Sequence, residues 1–211
     1  MFVVLFEVQP RPQEWDRYLA LAGALRPELT QIRGFIDNER YTSEHTNGRV
    51  LSISSWQDEK ALIRWRTHAR HHKVQEEGRF EVFQDYRLRV GEVIADSQQD
   101  NLPQTRFDVT EAGAAPAVTV TETPPGQAPP LPPPSADLVD AEPYSPINND
   151  GRQLLLASWR ANEAARAWIE QHPNCSRHRH IRIIRDYGML QRDEAPQYYP
   201  HIEHDATRPA A

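Results

Sequence analysis

One cysteine in 211 residues leaves no intrachain disulfide to form, which suits a cytoplasmic protein. No stretch approaches about 18 consecutive apolar residues, so no membrane-spanning helix is expected. The opening MFVVLFEVQPRP has neither a basic start nor a small-residue cleavage site, so it reads as a strand rather than a secretion signal. Concentrated basic charge is also missing: 24 Lys+Arg stand against 30 Asp+Glu. The one dense basic run, SRHRHIRIIR (Ser176 to Arg185), alternates like a strand with one solvated basic face, and no nucleic-acid partner is expected.

Proline is plentiful, and it is concentrated. Residues 97–150 hold 11 of the 18 prolines, with eight acids and one arginine. Their core, TPPGQAPPLPPP (Thr123 to Pro134), favours extended polyproline geometry and no helix. On either side the chain is patterned. Phe2 to Gln9 is β-branched and aromatic, a strand closed by Pro10 and Pro12. Trp15, Tyr18, Ala22, Leu25, Leu29 and Ile32 fall three and four apart on one helical face, with Pro27 set to end or kink it. Strands over 35–44 and 49–56 are joined by Asn47-Gly48, a hairpin signal. A helix over 58–77, stopped by Gly78, precedes a long strand over 79–93. The order is β-α-β-β-α-β, a ferredoxin-like unit.

The chain then repeats itself. NGRVLSISSWQDEKALIRW (Asn47 to Trp65) matches DGRQLLLASWRANEAARAW (Asp150 to Trp168) at an offset of 103, and Tyr41 matches Tyr144 at the same offset. DYRLRV (Asp85 to Val90) matches DYGMLQ (Asp186 to Gln191), which puts the second copy two residues shorter after its helix. The expected division is a domain over 1–96, a linker over 97–115, a degenerate domain over 116–193 with a proline-rich insertion at 124–134, and a C-terminal extension over 194–211. In the extension, Tyr198, Tyr199 and Ile202 could dock on the body. A ferredoxin-like sheet leaves one face open, and a second copy can cover it. The fold class expected is α+β: two ferredoxin-like units packed sheet to sheet as an intrachain pseudo-dimer, the second lacking its first helix, with a cavity in each half. Further homodimerisation stays open.

The pieces MFVVLFEVQPRPQEWDRYLAL, GFIDNERY, LSISSWQDEKALIRWRTHARHH and DYRLRVGEV resemble the antibiotic biosynthesis monooxygenase family of the dimeric α+β barrel superfamily. The resemblance covers nearly all of residues 1–96 and extends more weakly over 137–192. It implies a cofactor-independent oxygenase acting with O2 on a small aromatic or polyketide-like substrate. A haem-degrading branch places an Asn near the end of its first strand, where this chain has Glu7. Its His also lies further past the Trp than His68, His71 or His72 does. Haem is therefore not the expected cofactor.

The densest chemistry is WRTHARHH (Trp65 to His72). On one continuous helix Trp65, His68 and His72 share a face and His71 lies beside them. A histidine can move protons near neutral pH, so His68 and His71 are the candidate bases, with Glu7 a third if its strand turns it into a cavity. Trp65, Asn38, Arg40, Tyr41 and His72 are the candidate substrate-binding residues. His68 and His72 lack an acidic third ligand, so no metal site is expected. The second copy keeps both Trp positions, and the 103 offset pairs His68 with Gln171 and His71 with Asn174. The chemistry is therefore expected in the first half, with a non-catalytic binding barrel as the alternative.

Overall fold

The computed structural model describes residues 1–100, 102, 106, 108, 111–147 and 151–199. The first half runs β1 (Phe2–Pro10), α1 (Trp15–Leu29), β2 (Phe35–Ser43), β3 (Val50–Trp56), α2 (Glu59–Arg66), α3 (Ala69–Glu77) and β4 (Phe83–Asp96). The second runs β5 (Ala117–Thr123), β6 (Leu138–Pro146), β7 (Gln153–Trp159), α4 (Asn162–Gln171) and β8 (Arg177–Gly188). All strand pairs are antiparallel, and the order β1-β3-β2-β6-β7-β5-β8-β4 closes into one barrel. Each half contributes the four-strand order of a ferredoxin-like unit, and the halves join edge to edge. The β4–β8 seam is long; the β2–β6 seam has three pairs. Closure removes the sheet edges that each half would otherwise expose.

Alternation along the strands sorts side chains to two sides. Val3, Leu5, Leu51, Ile53, Val93, Val118, Val120, Leu154, Leu156, Ile181 and Ile183 fill the barrel. The opposite face of the first half carries Phe2, Val4, Trp56, Leu88 and Val90 toward α1 and α2. Asp58 caps α2, its carboxylate accepting from the Ala61 amide at 2.7 Å. Gly34, at φ +88°, makes the turn into β2 where a Cβ would lie 2.7 Å from that of Ala61.

Four expectations need correction. The helix over 58–77 is two helices. Thr67 bonds back to the Ile63 carbonyl at 3.0 Å, and His68 is extended at φ −64° and ψ 127°, so Trp65, His68 and His72 do not share one helical face. Gly78 does not stop α3 but continues it into a π-helical turn over Gly78–Val82, so β4 begins at Phe83 rather than Arg79. The basic run on β8 is not a solvated face. Arg179 pairs with Glu122 at 2.9 Å, Arg177 with Asp96 at 2.6 Å and Arg182 with Glu92 at 3.0 Å, and Arg179 is 1% exposed.

The fourth concerns the repeat. Leu5 pairs with Ile53 and Arg89 on β1, and Val120 pairs with Leu156 and Arg179 on β5. Arg89 and Arg179 are therefore the equivalent positions, not Asp85 and Asp186. Trp65 lies 24 positions before Arg89, but Trp168 lies only 11 before Arg179. The second half has lost the α3 equivalent as well as the α1 equivalent.

Candidate active site

Between the outer sheet face of the first half and its helices lies a cavity of about 210 Å³. Val4 and Phe6 of β1, Leu21 and Leu25 of α1, and Leu88 and Val90 of β4 give it apolar walls. Helices α1 and α3 are the two the second half lacks. There, Trp159 and Trp168 pack with ring centroids 5.9 Å apart over Ala117, Leu155 and Ala157.

The polar groups of the lining come from named strand positions. Asn38 and Arg40 on β2 sit opposite Ser54 and Ser52 on β3. Asn38 Nδ2 donates to Ser52 Oγ at 2.9 Å and to the Ile53 carbonyl at 3.0 Å, and Trp56 Nε1 donates to Ser54 Oγ at 2.9 Å. Arg40 lies beside the buried Tyr18 hydroxyl. The equivalent positions in the second half are Ala141, Pro143, Leu155 and Ala157. All four polar lining positions are apolar in the other copy.

Trp65 and His71 meet in the wall of the cavity. Because the chain breaks after Arg66, α3 swings His71 back over Trp65, and the rings stack at 4.2 Å and 15°. His71 Nδ1 lies 2.9 Å from the Trp65 carbonyl. A carbonyl can only accept, so Nδ1 carries the proton and Nε2 of the neutral ring is a bare acceptor. Burial pushes the His71 pKa down to about 4, with His68 and His72 adding to that direction.

The other candidates lie elsewhere. His68 stacks on Trp65 at 5.6 Å but faces Glu28, its Nδ1 3.4 Å from that carboxylate, and it is not in the lining. His72 stacks on Tyr199 at 5.7 Å outside the cavity. Glu7 and Tyr41 point into the barrel, on the opposite sheet face. Glu7 accepts from Arg89 at 2.7 Å and from the Tyr144 hydroxyl at 3.2 Å, and Arg89 also donates to Ser158 Oγ at 2.8 Å. Tyr41, 2% exposed, donates to Glu39 at 3.0 Å. The one-residue alternation that carries Asn38 and Arg40 into the cavity carries Tyr41 away from it.

The sequence reading missed part of the wall. Arg185 and Tyr187 of β8 line the cavity, as do Arg192, Gln197 and Tyr199 of the segment that follows. That segment is held against the first half. Arg192 donates to the Tyr86 hydroxyl at 2.8 Å and to the Gln197 carbonyl at 2.8 Å, and its guanidinium lies 5.2 Å from the Tyr199 ring centroid. Gln197 donates to the Arg66 carbonyl at 3.3 Å. Tyr199 thus docks as expected, while Tyr198 is 91% exposed and Ile202 lies outside the described residues.

A histidine was also missed in the second half. His172 Nδ1 lies 2.8 Å from the Trp168 carbonyl and its ring 3.9 Å from the Trp168 ring. It repeats the Trp65–His71 arrangement, reached in four positions instead of six.

The family model described as antibiotic biosynthesis monooxygenase matches residues 1–77. A relative from Pyricularia oryzae, jasmonate monooxygenase ABM, is 37% identical over 217 residues, covering 95% of this chain and 99% of its own. The chain belongs to the antibiotic biosynthesis monooxygenase family, as its sequence suggested, and is a monooxygenase. Among solved structures, an antibiotic biosynthesis monooxygenase aligns at a TM-score of 0.39 and 17% identity, over 49% of this chain and 100% of its own. An anthrone oxidase-like protein aligns at 0.38 and 10% identity, over 93% and 96%.

Proposed function

We propose that the first-half cavity oxidises a small, mostly apolar molecule whose reacting carbon is activated by a ketone or a phenol, without a resident cofactor. Aromatic and polyketide-like compounds fall in this class. The relative named for jasmonate, a cyclopentanone, extends it to non-aromatic ketones. The observation that carries the reading is the Trp65–His71 pair: a neutral imidazole with its Nδ1 proton committed, facing an apolar cavity edged by cations.

His71 Nε2 accepts the proton from the substrate carbon and the anion delocalises into the carbonyl or ring. Arg40 and the Ser52 and Ser54 hydroxyls stabilise that anion in a dry site, and Asn38 holds Ser52 in place by donating to its Oγ. The anion reduces O2, and the net change converts a CH2 and O2 into C=O and water. One oxygen atom enters the product, the other leaves as water, and the substrate supplies all the electrons. A base that stays neutral down to about pH 4 is always available at neutral pH. Its weakness is offset as the anion forms beside it and favours the imidazolium.

The test is oxygen consumption on a panel of anthrones, hydroquinones and cyclopentanones, with the purified protein and no added reductant. Uptake with one member, product carrying one atom of labelled O2, and no Soret shift on adding hemin are the expected results. No uptake with any member, or uptake only after a flavin or haem is supplied, would remove the proposal.

A further inference from the structure

Arg66 of α2, Arg185 of β8 and Arg192 beyond it all line the cavity. All three lie close enough to the Tyr187 hydroxyl for their charge to act on it. Among the described residues no carboxylate pairs with Arg66 or Arg185 there. Glu59, an acid of the lining, is taken by Arg106 at 3.1 Å, and Asp186 by Arg87 at 2.6 Å. Arg192 is committed to the Tyr86 hydroxyl and to two carbonyls, of Gly188 and Gln197. The guanidinium groups of Arg66 and Arg185 have no hydrogen bond or ion pair among the described residues, and Arg66 Nε is buried without one.

A guanidinium held against apolar walls without a counter-charge is unfavourable, and it becomes favourable when an anion arrives. Two such groups, from opposite halves of the chain, line one cavity whose remaining walls are largely Val, Leu and Phe. Their planar forks match a carboxylate, and the Val, Leu and Phe walls match a hydrocarbon body behind it. We propose that Arg66 and Arg185 grip the carboxylate of an apolar organic acid, so that the second half completes the substrate site of the first. The proposal rests on reading this cavity as the active site, but it concerns binding alone. It also gives the degenerate half a function: it supplies a wall and a charge to its neighbour's cavity.

Binding of acid and methyl-ester pairs to the full chain decides it, read by calorimetry and by Trp fluorescence. Jasmonic, 4-phenylbutanoic and decanoic acids, each with its ester, are the probes. At least one acid should bind about tenfold or more tighter than its ester, the scale of one charge-assisted contact. R185Q and R66Q should each bring the pair to within about threefold, and R185K should keep part of the preference. The result that overturns the proposal is an absence of acid binding, acids no tighter than esters, or a preference that survives both glutamine variants. Two positions on different elements guard against one variant misfolding. Acid binding that persists while oxygen uptake is absent would remove the proposed reaction and leave this site standing.

Discussion

At the scale of single residues, position relative to the sheet separates chemistry from architecture. Glu7 and His71 were both candidate bases. Glu7 is buried in the barrel against Arg89, so replacing it leaves a guanidinium without its partner. E7A should destabilise the fold by about 3–5 kcal/mol, as breaking a buried pair does, while kcat in the surviving fold stays near wild type. Urea denaturation beside an oxygen-uptake assay checks both halves of that statement. H71A should lower kcat by roughly 10²–10⁴, the usual weight of a general base. The pH dependence carries a sign. His71 and His180 are both held neutral by burial, with pKa values pushed down to about 4 from 6.5. Between those values the unfolded chain binds protons that the native chain refuses. Stability is therefore complete above pH 6.5 and falls as pH drops toward 4, by at most about 3 kcal/mol per group. Melting temperatures from pH 8 to 4 should show that fall, and H180Q should reduce it. A melting temperature that rises on acidification would contradict the assignment.

At the scale of elements, strands and motif order were legible and helix continuity was not. β-Branched composition, turn signals and alternation placed the strands of the first half, and the Trp-anchored repeat paired β3 with β7. What failed was local. A break at Thr67–His68 has no proline or glycine to announce it, so WRTHARHH read as one helix and the wrong histidines shared a face. DYRLRV and DYGMLQ matched by letters, yet strand pairing sets the register elsewhere. The same comparison of copies did contain an unused signal: Asn38, Arg40, Ser52 and Ser54 are polar only in the first copy, where they line the cavity. Gly78 tests the π-helical turn, because a Cβ there would lie 2.5 Å from the Phe83 ring, which lines the cavity. G78A should raise KM more than it lowers melting temperature, since the ring it displaces faces substrate; equal effects would assign Gly78 to stability alone.

At the scale of the whole molecule, neither half is a finished object. Closing the barrel pairs the β4 and β2 edges with β8 and β6 and buries Val3, Leu5, Leu51 and Ile53. Residues 1–96 alone should therefore associate or unfold rather than stay monomeric, which sedimentation would show. Gly91 sits in the long seam, where a Cβ would run into the Ile181 side chain and lie 2.9 Å from the Arg182 carbonyl. G91A should cost about 1–3 kcal/mol through overpacking and should weaken both halves in one transition. That β8 and the segment after it wall the other half's cavity could not be read from sequence, because it follows from closure and not from any local pattern. The two halves nonetheless present matched histidines, His71 on Trp65 and His172 on Trp168, and it is His71 that lines the polar-edged cavity. Oxygen uptake by H71A and H172A, assayed side by side on a substrate the wild type oxidises, separates the two. Loss of a hundredfold or more in H71A with near-wild-type turnover in H172A is expected; equal losses, or a greater loss in H172A, would show that His71 is not the base.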